Sequence, residues 1–161
     1  MSVTWGGMIG VVSGMNVEGL TITINAGKSE IPLVAKTPIS ILAREILQYA
    51  KNIEEAIAIA KSKEVFVSES IMIGSASDKR AVLIEVSPEK FGIYEVQNNN
   101  QLICSNHFQS KAYQSDERNM EHVKESHSKY RFDRMNELLD EKDKMNPQKM
   151  AEILRNKEGL A

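Results

Sequence analysis

Gly14-Met15-Asn16-Val17-Glu18-Gly19-Leu20-Thr21-Ile22-Thr23-Ile24-Asn25 joins a turn to a strand. From Leu20 onward apolar and polar residues alternate strictly. Leu20, Ile22 and Ile24 therefore share one face of an extended segment, and Thr21, Thr23 and Asn25 share the other. Asn16 and Gly19 can reach positive φ at little cost, as a hairpin turn requires. Just before them, Met8-Ile9-Gly10-Val11-Val12-Ser13 is short, apolar and bounded by glycine. The expectation is an antiparallel pair of strands over 8–13 and 20–25.

Downstream the period changes. Thr37-Pro38 reads as an N-cap followed by proline at the first helical position. Ile39, Leu42, Ala43, Ile46, Leu47 and Ala50 then recur at helical spacing. Asn52 caps a second helix that turns Ile53, Ala56, Ile57 and Ala60 inward, with Glu54 and Glu55 well placed in its first turn. Four extended segments follow at Ser70–Ser75, Ala81–Val86, Phe91–Val96 and Leu102–Ser105, the last after the turn Asn98-Asn99-Asn100. Their short links predict an antiparallel meander. Lys129–Leu139 and Pro147–Arg155 read as helices, the second opened by Asn146-Pro147. Strands, a helical hairpin, more strands and more helices predict an α+β layered domain.

Charge divides the chain. Residues 1–109 carry 9 Lys+Arg and 11 Asp+Glu, whereas residues 110–161 carry 11 of each. Strands plus the helical hairpin (1–109) are thus followed by a solvated, mostly helical tail (110–161). The 161 residues suffice for one sizeable core. A net charge of −2 gives no electrostatic case for nucleic acid or an anionic membrane surface. No apolar run approaches a membrane span, and no basic-then-apolar leader opens these residues. The expected state is soluble; compartment stays open, since a secretion signal could lie upstream. One cysteine excludes an internal disulfide and a Cys-built metal site.

Two asparagines stand at expected strand ends. Asn25 is followed by Ala26-Gly27, and Asn106 sits in Cys104-Ser105-Asn106-His107-Phe108. A side-chain amide donates hydrogen bonds without changing charge, which suits an oxyanion in acyl transfer; the alternative is a turn-capping role for each. Cys104 and His107 are three apart, so on one strand they face opposite ways and would need a bend to pair. A buried, inert thiol is the competing reading for Cys104. His107, His122 and His127 lack metal-site spacing. Arg131 suits either an exposed helix face or the holding of a carboxylate.

Taken in order, these pieces resemble a known group. Gly14-Met15-Asn16-Val17-Glu18-Gly19-Leu20 leading into Thr23-Ile24-Asn25, the helical hairpin, the meander, Ser105-Asn106-His107-Phe108 and Arg131-Phe132-Asp133-Arg134 are similar to the choloylglycine hydrolase and acyl-coenzyme A:6-aminopenicillanic acid acyltransferase group of the N-terminal-nucleophile (Ntn) hydrolases. The resemblance runs from about Trp5 to Leu160. It implies a partial four-layer αββα sandwich with antiparallel sheets, spanning 1–161 as a single partial domain. It also implies hydrolysis or transfer of the acyl group of a non-peptide amide. In that group an N-terminal cysteine attacks the carbonyl while its own α-amino group, titrating near neutrality, serves as base. The resemblance implies that Asn106 helps form the oxyanion hole, that Asn25 lines the site and that Arg131 lies near the nucleophile. It brings no metal and no cofactor, only a small-molecule amide or acyl substrate.

That group carries its nucleophile strand well upstream of the hairpin, with an aspartate shortly after the cysteine. The 15 residues before Asn16 hold neither. The expectation is therefore a fragment of a hydrolase or acyltransferase, inactive alone, with the nucleophile supplied upstream. Its exposed sheet edges would favour a homo-oligomer. The alternative is a non-catalytic binding or structural module on the same scaffold.

Overall fold

A computed structural model describes residues 1–28, 35–96, 101–139 and 145–157. The hairpin is present, displaced from its expected start. β2 (Ser13–Met15) pairs with β3 (Leu20–Ala26), Ser13 lying opposite Thr23 and Met15 opposite Thr21. Residues 8–12 form no strand; Val11 instead donates its N–H to Ser40 O at 2.9 Å and is buried. The turn also differs in mechanism. Gly19 takes φ +77° as expected. Asn16 works through its side chain: Oδ1 accepts from the N–H groups of Glu18 and Leu20, each at 3.0 Å, while Nδ2 donates to Ala50 O at 2.7 Å. That last bond ties the hairpin to the end of the first helix.

α1 (Ile39–Tyr49) and α2 (Ile53–Lys61) form the helical hairpin. Thr37 is not the cap. Pro38 itself occupies that position in extended conformation, and the Thr37 N–H goes to Glu64 O at 2.9 Å. At α2 the local signal holds: Asn52 Oδ1 accepts from Glu55 N–H at 2.9 Å, a cap that contributes about 1 kcal/mol.

β4 (Glu69–Ser75), β5 (Arg80–Val86) and β6 (Phe91–Tyr94) extend the sheet, and β1 (Ser2–Val3) flanks β2. Among the described residues the result is one six-stranded antiparallel sheet in sequential order β1 to β6. Leu20 and Ile22 meet Ile71, Ile73, Val82 and Ile84 on one face, and Leu42, Ile46, Ile53 and Ile57 of the helices cover it. Each such buried side chain contributes about 1.5–3 kcal/mol of transfer free energy, so this face holds the core.

Leu102–Ser105 does not join the sheet. The segment from 101 to 113 lies across the opposite face, where a four-layer sandwich would set a second sheet. Asn98-Asn99-Asn100 falls outside the described residues. Beyond a 3-10 turn at Lys111–Tyr113 come α3 (Glu117–Glu125), α4 (Ser128–Leu139) and α5 (Pro147–Leu154). The last two match the expected helices to within one residue, and Asn146 caps α5 by accepting from Lys149 N–H at 2.9 Å. α3 was not expected: among its residues only Asn119 is buried, so no apolar stripe announces it.

Candidate active site

The alternation of β3 places Asn25 away from α1 and α2. Across the sheet it pairs with Ser70, which pairs with Glu85, which pairs with Gly92. This row is the floor over which the segment 106–110 passes. Two glycines let the chain pass close above the sheet: a Cβ on Gly27 would lie 2.5 Å from Phe108 Cζ, and one on Gly92 2.1 Å from Ser110 Oγ.

The segment over this floor is held by side chains, where a strand would be held by backbone. Glu85 is 0% exposed, and its carboxylate accepts from Gln109 N–H at 2.7 Å and Ser110 N–H at 2.9 Å. Burial nevertheless pushes its carboxyl above the usual range, against the pull of those bonds. Asn119 of α3 pairs with Phe108 through both backbone groups, accepting from N–H at 2.9 Å and donating to O at 3.1 Å. Ser128, at the start of α4, accepts from Asn106 N–H at 2.8 Å. Backbone N–H groups that lack a ladder must find other partners once buried, and these three side chains supply them.

Asn106 is held by its side chain as well. Nδ2 donates to Ala26 O at 2.9 Å, and Oδ1 accepts from an Arg131 Nη at 2.8 Å. A guanidinium only donates, so this contact decides which amide atom is oxygen. Nδ2 keeps a second hydrogen for another acceptor. Arg131 in turn lines a cavity of about 310 Å³ together with Asn25, Cys104 and Asn156; Met135, Leu138, Ile153 and Leu154 of α4 and α5 form its apolar side. The structure thus brings the three expected site residues into one region without bonding all three together. Asn25 and Arg131 stand on the cavity, and Asn106 is bonded to Arg131.

Cys104 opens onto the same cavity with a thiol pushed up to about 12. Burial is the main cause, and the charges of Glu85 and Glu69 add to it against a hydrogen bond with Ser70. At pH 7 roughly one molecule in 10⁵ would carry the thiolate. His107 is no partner for it: the thiol's hydrogen bonds are with Ser105 O, at 3.5 Å, and Ser70, while His107 Nδ1 lies 2.8 Å from Ser128 Oγ. That Ser–His contact is not a nucleophile and its base either. The Ser128 hydroxyl donates to Ser105 Oγ at 3.0 Å, away from the imidazole, and Ser128 is 0% exposed. Among the described residues no three His, Cys, Asp or Glu side chains gather as a metal site.

Glu69 precedes Ser70 on β4 and so faces the other side of the sheet; burial pushes it up to about 7. Its native value lies above the unfolded one, so its contribution to stability is complete at low pH and lost as pH rises from about 4.5 toward 7. Relative to wild type, Glu69→Gln is expected to gain unfolding free energy steadily over that window in urea titrations. A constant difference would show that the carboxyl keeps its ordinary value.

Sequence reasoning missed Ser128, Asn119 and Glu85. Only Glu85 left a signal: a charged residue inside the apolar run Ala81-Val82-Leu83-Ile84-Glu85-Val86.

The family model for acyl-coenzyme A:6-aminopenicillanic acid acyl-transferase matches residues 1–160. The chain belongs to this acyl-transferase family. Its fold is that of the Ntn hydrolases. A solved N-acylethanolamine-hydrolyzing acid amidase ortholog from Caenorhabditis elegans matches with a TM-score of 0.68 at 17% identity, over 98% of this chain and 68% of that one. Two variants of a conjugated bile acid hydrolase from Clostridium perfringens each give 0.53 at 15% identity, over 96% of this chain and 61% of theirs. The acyl-transferase family member described here thus spans about two thirds of these proteins' length. No curated protein sequence matches it. The family match and the shared fold agree with the resemblance drawn from the hairpin, the meander and the later motifs. No helix among the described residues is long and apolar enough to cross a membrane.

Proposed function

We propose that this chain carries the amide-polarising part of an enzyme that hydrolyses or transfers the acyl group of a non-peptide amide. Asn106 is the oxyanion donor, Asn25 lines the substrate, and Arg131 holds the Asn106 amide and faces the nucleophile. The observation that carries the reading is the orientation of Asn106. Its oxygen is taken by Arg131, a residue that lines the cavity, and one hydrogen by Ala26 O, leaving the other free for an acyl oxygen. The cavity's apolar side chains suit the hydrocarbon part of an acyl group.

The nucleophile comes from outside residues 1–161, upstream. Two observations support this. The Cys104 thiol is nearly fully protonated at neutral pH. Ser2 lies two strands and three residues from Asn25, roughly 14 Å, with its side chain on the opposite face of the sheet. Incubating the 161-residue chain with a p-nitrophenyl acyl ester and an N-acyl amide tests the reading. Mass spectrometry is expected to find no acyl adduct on Cys104 or Ser2 and no amide turnover. An adduct on Cys104 with turnover would overturn it. The outer edge of β1 has no partner among the described residues, which supports pairing with a second copy. Light scattering is expected to give at least a dimeric mass, and a monomer would end that part of the reading.

A further inference from the structure

Four contacts meet at Ser128. Its Oγ lies 2.8 Å from Asn106 N, 2.8 Å from His107 Nδ1 and 3.0 Å from Ser105 Oγ, while Ser105 Oγ lies 2.9 Å from Ser128 O. One arrangement of protons makes all four. A carbonyl cannot donate, so Ser105 gives its hydroxyl proton to Ser128 O. Ser128 must then donate to Ser105 Oγ, and its two lone pairs accept from Asn106 N–H and from His107. The imidazole is therefore protonated at Nδ1. Burial also favours the neutral ring, and the nearby Lys129 charge acts the same way.

Arg131 follows Ser128 by three residues, so both project from the same face of α4. One holds the Asn106 backbone and the other its side-chain oxygen. From this geometry we infer that Ser128, with His107 locked as the Nδ1–H tautomer behind it, is the positioning residue that aims the free Nδ2 hydrogen of Asn106. The inference rests on the reading of Asn106 as oxyanion donor. Ser128 touches no substrate in it: the hydroxyl is saturated and acts through Asn106.

The test reads the Asn106 carboxamide and the His107 ring directly, by nitrogen-15 NMR of the 161-residue chain. In wild type, His107 is expected to carry its proton on Nδ1. The Asn106 Nδ2 proton bonded to Ala26 O is expected to exchange with water about tenfold more slowly than its partner. In Ser128→Ala that slow proton should accelerate about tenfold, while the Asn119 proton bonded to Phe108 O stays slow and reports an intact fold. Ser105→Ala breaks into the same buried cluster yet leaves the bond from Asn106 N–H to Ser128 Oγ. It should leave Asn106 exchange slow.

A proton on Nε2 of His107 would overturn the inference. So would unchanged Asn106 exchange in Ser128→Ala, or equal acceleration in both variants. Should Ser128→Ala fail to fold, Ser128→Cys, which keeps the volume but accepts hydrogen bonds only weakly, is read in its place: accelerated Asn106 exchange is expected, and unchanged exchange would overturn the inference. The enzymatic reading is tested apart from this. In the enzyme carrying its nucleophile, Ser128→Ala is expected to lower kcat with little change in KM. Accelerated exchange with unchanged turnover would leave the positioning standing and remove Asn106 from catalysis.

Discussion

Asn106→Ala is expected to lower kcat for an N-acyl amide by about 10²–10³-fold in the enzyme carrying its nucleophile, with KM within a few-fold of wild type. The size follows from what is removed. A donor aimed at developing negative charge stabilises the transition state by about 3–4 kcal/mol and the neutral ground-state carbonyl by far less. The two contacts that fix the amide explain why the loss should be large: Asn106 cannot turn its oxygen toward the substrate while Arg131 donates to it. Asn106→Asp sharpens the test. A carboxylate of the same shape would keep the contact with Arg131 but present negative charge to the oxyanion, so its activity should fall at least as far as that of alanine. Activity retained in the Asp variant would mean that the group does not face the reacting carbonyl.

Glu85→Ala is expected to destabilise the fold by about 2–4 kcal/mol, seen as a lower urea midpoint at unchanged m-value. Truncation strands two backbone donors, the buried Ser110 N–H and the part-buried Gln109 N–H, each costing up to about 1–3 kcal/mol. Relief of the buried carboxylate offsets part of that. Glu85→Gln keeps the volume and one acceptor but turns an NH₂ toward the other donor, so it should fall between. The pH dependence fixes the sign. The native carboxyl titrates above its unfolded value, so its contribution is fullest at low pH and declines as pH rises through the ordinary carboxylate range. The penalty of Glu85→Gln relative to wild type should therefore shrink toward neutral pH. A loss below about 0.5 kcal/mol for Glu85→Ala would show that the segment above the sheet is held by something else.

Legibility followed the range of the interactions. Asn52, Asn146 and the buried faces of α1 and α2 were readable because a cap or a stripe is decided within a few residues. Strict alternation placed Asn25 on the correct face. Pro38 displaced Thr37 from its expected cap because the Thr37 N–H is taken by Glu64, 27 positions away in the chain. Leu102–Ser105 looked like a strand because its composition suits one. What decides the neighbouring path is a set of polar side chains from β5, α3 and α4, and no local pattern announces them. Asn106 was thus singled out on the wrong element: it sits in that irregular segment and owes its orientation to Arg131 and Ala26, not to a strand end. The spacing of Cys104 and His107 left pairing open, and the thiol turns to Ser105 and Ser70 instead. α3 escaped because its buried face is an asparagine.

A β-ladder is chemically anonymous, since the backbone makes it and most side chains can ride on it. The stretch from Asn106 to Ser110 has no such insurance. Its hold depends on the identities of Glu85, Asn119 and Ser128, residues scattered over forty-four positions and three elements. Tolerance to substitution should therefore run opposite to intuition: broad across much of the exposed sheet surface, and narrow at a few buried polar positions that no substrate touches. Anyone redesigning the cavity can change its apolar side chains more freely than those three anchors.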